Sequence, residues 1–350
     1  MMKILVWGTG YYAREIMEER INGDVIGFIE TNVTKESFYG KPVFSIDEIP
    51  DEWDYIIVAN TFGAEIYKKC LERKINMDKI IFYKSFSMQV GCCDLNVLKD
   101  VLSEKCYTFY CAERGITQGT KFEEDKKIYT AMNTRENFRI EEENILPFLL
   151  DKYYEAGWVQ GYFWMDLWAA KLIYKSGVKK HFDIGSRFDG FIAHLLAMDI
   201  KVAMIDIRAF PYKIDNLETI IADATELVQI EDNSIESMSA LHSIEHFGLG
   251  RYGDPIDPEA CFKCFDSIQR KLKKGGDLYL ALPIGKDRVL FNGAREFTPS
   301  TIVNSFNKVT LKEFSYTPGK VFVHDVAIDS FDVNYKYPEG CIGLFHFIKD

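Results

Sequence analysis

The chain has 350 residues, 47% hydrophobic and 27% charged, with a formal net charge of −11. That length fits two domains of roughly 100–200 residues each, and the composition excludes a disordered or fibrous chain. The acidic balance argues against a broad grip on nucleic-acid phosphates, which needs clustered Lys and Arg, so no nucleic-acid partner is expected.

The opening apolar run reaches a glycine at Gly8. It is too short for a signal sequence or a bilayer span, and no later window holds about 18 uncharged apolar residues. A cytoplasmic protein without a membrane span is expected, and an oligomer is compatible with it. The eight cysteines, at 70, 92, 93, 106, 111, 261, 264 and 341, are scattered and read as buried thiols. Cys261 and Cys264 have CxxC spacing, but no second pair stands nearby to complete a zinc site, and no metal is assigned.

Lys3–Trp7 reads as a buried strand, 13–20 as a helix and Val25–Ile29 as a second strand. Tyr55–Ala59 is a third strand, followed by a helix near Ala64–Arg73 and a fourth strand at Lys79–Tyr83. Strands alternating with helices imply a parallel sheet with right-handed crossovers. Residues 95–175 are rich in charges and aromatics and read as mainly helical. This stretch ends in the aromatic run Gly161–Ile173, which either packs a helix core or caps a pocket. Strands are expected again at Lys180–Ile184, Val202–Ile205, Thr219–Ile221, Ile235–Ala240 and Asp277–Leu282. A helix is expected near Phe191–Met198, and Lys273-Lys274-Gly275-Gly276 reads as a helix end with left-handed glycines. The expected fold is α/β: two Rossmann-like doubly wound domains, 1–95 and 176–350, joined by a helical segment, 96–175.

Gly8-Thr9-Gly10-Tyr11-Tyr12-Ala13 follows a strand and opens a helix, as GxGxxG/A does. Gly8 and Gly10 permit a tight turn and close approach to a pyrophosphate at the helix N-terminus. Glu30 ends the second strand, where a ribose-binding acid belongs. No Lys, Tyr or His constellation for hydride transfer accompanies it. Val25–Glu30 and Tyr39–Val43 resemble the N-terminal sugar-nucleotide or dinucleotide-binding domains of bacterial polysaccharide-modifying enzymes. NAD(P), a nucleotide sugar and an empty site all stay open for this domain.

Asp183-Ile184-Gly185-Ser186-Arg187-Phe188-Asp189-Gly190 is the stronger signal. An acid ends a strand and a glycine turn leads into a helix, as in class I methyltransferases. That resemblance implies that Asp183 faces the methionine moiety of S-adenosylmethionine, with Gly185 and Ser186 in the binding loop. Asp206 ends the next strand, where a carboxylate can accept from ribose hydroxyls. Asp223 and Ala224 follow the third, where an adenine contact is expected.

Phe163–Trp168, Asp183–Arg187, His242–Asp254 and Asn292–Arg295 resemble the DUF268 family, a methyltransferase-like group associated with surface-polysaccharide synthesis. The segment Ser239–His246 lies where donor and acceptor meet in such folds. A base there would take a hydroxyl proton, with His242 or His246 in that role and Glu245 orienting the ring. Arg251, Tyr252 and Asp254 on the following glycine-rich loop, with Asn292 and Arg295, are expected to complete a pocket for a sugar or nucleotide-sugar substrate. His242–His246 also matches the inverted zinc-protease pattern HxxEH, but Gly248 and Gly250 break the long helix that pattern needs. Three readings remain: an S-adenosylmethionine-dependent O-methyltransferase, a non-catalytic nucleotide-binding protein, and an NAD-dependent sugar-nucleotide enzyme run from the N-terminal domain.

Overall fold

The computed structural model describes all residues except 20, 85–90, 93, 158, 336, 338 and 339. Residue 20 of the first expected helix and Cys93 therefore lie outside the described residues. The chain divides into two compact units, Met1–Gly157 and Trp158–Asp350. Among the described residues no helix is long and apolar enough to cross a membrane, and the described cysteines are buried.

In the first unit the elements run β1 (Lys3–Trp7), α1 (Tyr11–Glu18), β2 (Asp24–Ile29), β3 (Ser37–Phe38), β4 (Lys41–Phe44), β5 (Tyr55–Val58), α2 (Gly63–Glu72) and β6 (Ile80–Phe82). Helices α3 (Leu95–Val101), α4 (Glu104–Ala112) and α5 (Lys121–Met132) follow. The sheet order is β3-β4-β2-β1-β5-β6, with parallel pairing throughout except at β3–β4. The apolar runs of β1, β5 and β6 are buried on both faces, as a parallel sheet covered by helices requires. Part of the expected helical connection belongs to this unit's core, because Leu98, Val101, Cys106 and Tyr110 of α3 and α4 pack with Ile4, Val6 and Ile57.

The second unit begins with α6 (Gly161–Ser176) and β7 (Lys180–Ile184), then α7 (Ala193–Ala197), β8 (Lys201–Asp206), β9 (Leu217–Ile221) and β10 (Ile235–Leu241). It continues through α8 (Ala260–Lys271), β11 (Leu272–Pro283), the hairpin β12 (Arg288–Leu290) and β13 (Ala294–Glu296), α9 (Pro299–Asn304), β14 (Val309–Thr317) and β15 (Ile342–Lys349). The main sheet runs β14-β15-β11-β10-β7-β8-β9. Counted within the unit, that is the doubly wound order 3-2-1-4-5-6 with one further strand, β15, inserted antiparallel to both its neighbours. The α/β fold class read from the sequence is thus what the structure has, with sheets of six and seven strands.

Three local expectations are corrected. Helix α8 ends at Lys271 and its cap residue is already extended, so Lys273–Gly276 lies inside β11. There Gly275 (φ +74°) sits where the β10–β11 register shifts. The helix expected near Phe191 begins as a π-turn at Phe188–Ile192 before α7. The strands β14 and β15 were not anticipated. Their alternation is masked by runs such as Leu344-Phe345-His346-Phe347, buried on both faces.

Candidate functional site

Both units carry the same construction at the point where strand order reverses. After β1, the Gly8 amide donates to Ile29 O (2.9 Å). A Cβ on Gly8 would stand 3.0 Å from Ala59 O, and its φ is +124°. After β7, the Gly185 amide donates to Ile205 O (2.9 Å), and a Cβ would meet Ser243 Cβ at 3.1 Å with φ +68°. Each glycine lets the end of the central strand cross close to the strand on its other side. Each turn also sits beside the carbonyl preceding the second-strand acid, Glu30 or Asp206.

In the first unit that acid is engaged. Thr9 Oγ1 donates to Glu30 Oε1, and Thr34 donates to Oε2 through its amide (3.2 Å) and hydroxyl (3.3 Å). Burial acts to raise the Glu30 pKa, but these hydrogen bonds and Lys35 outweigh it and hold the carboxyl below its ordinary range. Gly10 caps α1 without a side-chain bond.

In the second unit the loops open onto a cavity of about 1620 Å³, larger than the several hundred to roughly 1,000 Å³ of ordinary ligand pockets. Gly185, Ser186, Asp206, Asp223, Ala224, His242, His246, Arg251, Tyr252 and Asp254 all line it. Rings from the loops after β7 and β8, Phe188 and Phe210, stack at 3.7 Å and both border the cavity.

Asp183 does not line the cavity, contrary to expectation. It is fully buried, and its oxygens accept from Ser186 N (2.9 Å), Ser186 Oγ (2.7 Å) and Ser239 Oγ (2.5 Å). Behind it His181, also fully buried, contacts Ser237 Oγ through Nδ1 (2.7 Å) and Ser239 Oγ through Nε2 (2.8 Å). Burial pushes the imidazole down to about 3 and the Asp183 carboxyl up to about 6. The ring is therefore neutral and donates through one nitrogen only. Since Ser239 gives its proton to Asp183, His181 donates from Nε2 and accepts Ser237 at Nδ1. Asp183 thus acts on the cavity through Ser186, by shaping the loop.

The carboxylate that does face this end is Asp166 of α6, which the sequence reading passed over as part of an aromatic run. It borders the cavity with Tyr162 and Met165. Burial raises its pKa to about 6, partly offset by a hydrogen bond from the Phe191 amide. A Cβ on Gly190 would fall 2.2 Å from Asp166 Oδ2, so a glycine there is what admits the carboxylate. The aromatic run consequently does both things foreseen for it: Trp168 and Met165 pack in the core while Tyr162 walls the cavity.

Asp206 is held by its own loop. Arg208 donates to it from the backbone (2.8 Å), Nε (2.9 Å) and Nη2 (2.8 Å). Asp223 accepts from Thr225 N (2.8 Å).

His242 follows β10 directly with φ +56°, a left-handed conformation that is uncommon outside glycine. Its ring packs against Tyr162 at 5.2 Å, and Nδ1 lies 2.5 Å from Glu245 Oε1. Glu245 is fully buried. That approach is short but off-axis, because neither Glu245 oxygen completes a directed hydrogen bond, and His242 Nε2 is likewise buried and unpartnered. His246 Nδ1 stands 2.7 Å from Gly293 O. A carbonyl only accepts, so the proton is on Nδ1, and Nε2 lies 3.6 Å from Glu245 Oε1. Burial pulls the His246 pKa down, with Glu245 opposing it.

The remaining expected pocket residues divide. Arg251 Nη1 donates to Gly293 O (2.8 Å), and Tyr252 lies edge-on to His246 at 5.6 Å. Asp254 borders the cavity, but its oxygens accept from the amides of Gly248 (2.7 Å), Gly250 (3.4 Å) and Tyr252 (3.2 Å), which sets the loop's shape. Arg295 is buried and donates to the carbonyls of Glu245, Phe247 and Pro258. It braces the histidine segment from behind and does not border the cavity. Asn292 is exposed in the β12–β13 turn, away from the cavity lining. It is Gly293, next to it, whose carbonyl reaches His246 and Arg251. Among the described residues no group of three or more His, Cys, Asp or Glu is arranged to hold a metal ion.

Residues 194–309 match the family described as Caenorhabditis protein of unknown function, DUF268, in agreement with the resemblance read at His242–Asp254 and Asn292–Arg295. Residues 1–81 match the C2185-like N-terminal family, which lends no support to a polysaccharide-enzyme likeness, NAD(P) or a nucleotide sugar in that unit. No curated protein matches the chain. Solved structures similar to it include the Burkholderia thailandensis 1,6-didemethyltoxoflavin-N1-methyltransferase with S-adenosylhomocysteine bound. That one is 15% identical over 53% of this chain and 78% of the other, with TM-score 0.39. The N-methyltransferase NodS of Bradyrhizobium japonicum WM9, also with S-adenosylhomocysteine, is 14% identical over 53% and 85%, with TM-score 0.37. A putative methyltransferase of Bacillus halodurans is 14% identical over 52% and 98%, with TM-score 0.37.

Proposed function

We propose that the C-terminal unit binds S-adenosylmethionine and that the chain is a methyltransferase acting on a hydroxyl of a sugar or nucleotide sugar in surface-polysaccharide synthesis. The observation that carries this reading is His242 Nε2. It is buried and unpartnered, on a residue that walls the same cavity as Gly185, Asp206 and Asp223. When bound, S-adenosylmethionine supplies an electrophilic methyl group. Gly185 and Ser186 fit its methionine end, Asp206 the ribose hydroxyls, and Asp223 with Ala224 the adenine. Asp166 offers a carboxylate to the amino group.

His242 takes the acceptor's hydroxyl proton at Nε2. Glu245, 2.5 Å from Nδ1, favours the tautomer that carries its proton on that nitrogen and leaves the Nε2 lone pair free. His246 serves less well as base, because its Nδ1 proton is committed to Gly293 O and its Nε2 faces Glu245. Phe188 and Phe210 exclude water above the loop.

The test is isothermal titration of the full chain with S-adenosylmethionine and S-adenosylhomocysteine, alongside Asp206→Ala, followed by a search for S-adenosylhomocysteine release with sugar and nucleotide-sugar acceptors. Absence of binding by either compound refutes the reading. Nucleotide binding without turnover is the second reading, favoured by the three hydrogen bonds with which Arg208 already occupies Asp206. Turnover that disappears in His242→Gln decides against it.

A further inference from the structure

Four permanent cations border the cavity: Arg187, Arg208, Arg251 and Lys263. Three of them are neutralised by a neighbour, Arg187 by Asp189 (2.6 Å), Arg208 by Asp206 (2.8 Å) and Lys263 by Asp257 (2.7 Å). Arg251 is different. Its acceptor is Gly293 O (2.8 Å), which it shares with the protonated His246 Nδ1, and among the described residues no carboxylate stands within ion-pair distance of it. Its guanidinium lies 5.2 Å from the ring centre of Tyr252, and Arg208 lies 4.6 Å from the same ring. Two guanidiniums thus share one aromatic ring in a chain whose net charge is −11.

The nearby acid, Asp254, is committed to the amides of its own loop. That loop also packs closely on the chain ahead of α8, where a Cβ on Gly248 would fall 1.8 Å from Asp257 O. A guanidinium fixed at one edge by a carbonyl keeps its other N–H donors for a ligand, and their fork suits a phosphate or carboxylate.

We propose that Arg251 is an anion-binding group of the acceptor site, and that the acceptor carries a phosphate or carboxylate group seated on Arg251 while its hydroxyl lies at His242. A neutral sugar leaves this charge unmet. The acceptor's identity as a methyl acceptor rests on the function proposed above, but the anion site itself does not.

The experiment is isothermal titration of the full chain, with and without S-adenosylhomocysteine, against uridine diphosphate, glucose 1-phosphate, glucuronate and neutral methyl glucoside. At least one anionic probe is expected to bind tenfold or more tightly than the glucoside. Its affinity is expected to fall at least tenfold in Arg251→Gln and less in Arg251→Lys, which keeps a point charge. The phosphate and glucuronate arms separate the two anion types. Equal binding of neutral and anionic probes, or anion binding that survives in Arg251→Gln, overturns the proposal. Failure of S-adenosylhomocysteine to bind refutes the methyltransferase reading instead and leaves the anion titrations of the unloaded chain to be judged on their own.

Discussion

Replacing His181 by glutamine tests the buried network that shapes the loop after β7. In the folded protein the imidazole is held neutral down to about 3, whereas in an unfolded chain histidine protonates near 6.5. Between those two values the unfolded state binds a proton that the folded state refuses. Stability therefore rises with pH in this window, by up to about 1.4 kcal/mol per pH unit. Acidification from pH 6 to pH 4 removes roughly 2–3 kcal/mol on this account. Asp183 acts in the opposite sense. Its folded pKa of about 6 lies above the unfolded value of about 3.9, so the folded state gains stability as pH falls from about 6 toward 4.

In the wild type the two effects offset each other, and the profile alone is uninformative. A glutamine can still bond Ser237 and Ser239, does not titrate, and leaves Asp183 in place. The stability difference, wild type minus His181→Gln, is accordingly expected to shrink by about 2 kcal/mol or more from pH 6 to pH 4. Hydrogen exchange in urea, read by mass spectrometry on peptides covering Lys180–Ile184 and Ile235–Leu241, measures this unit rather than the whole chain. A difference that stays constant with pH would mean that His181 is not held neutral, and the proton assignment behind the loop would be wrong.

Further outcomes follow from the site. His242→Gln is expected to lower turnover by roughly 10²–10⁴ while S-adenosylhomocysteine affinity stays within a few-fold, since general-base contributions lie in that range. Glu245→Gln should lower turnover too while S-adenosylhomocysteine affinity stays within a few-fold. Gly185→Ala combines a positive φ with a 3.1 Å approach to Ser243. It is expected to cost about 1–2 kcal/mol of stability and to weaken cofactor binding, as read by thermal shift with and without ligand. Arg295→Met leaves three backbone carbonyls without their donor and should destabilise the unit by about 2–4 kcal/mol in chemical denaturation.

Much of the scaffold was legible from local pattern. Largely apolar runs marked β1, β2, β7, β8 and β10, with glycine turns closing β1 and β7, because a parallel strand covered on both faces buries most of its side chains. Positive-φ glycines and strand-end acids marked both crossover points, because backbone sterics and the sheet's polarity demand them at those positions. What each acid does was not legible. Asp183, Asp206 and Glu30 look alike in sequence, yet the first is buried against two serines, the second is clamped by Arg208 and the third is capped by two threonines.

The partners come from residues up to 56 positions away, as with Asp183 and Ser239, and only the packed sheet brings them together. The same holds for Asp166, which reads as part of an aromatic helix until Gly190 is seen to make room for it. Asp254 and Arg295 read as substrate ligands until their hydrogen bonds are found spent on backbone. Local sequence thus determined where the chain turns and which faces are buried, since those depend on neighbouring residues and elementary sterics. Tertiary structure decided which polar groups remain free for a ligand, because that depends on every donor and acceptor the fold places within reach.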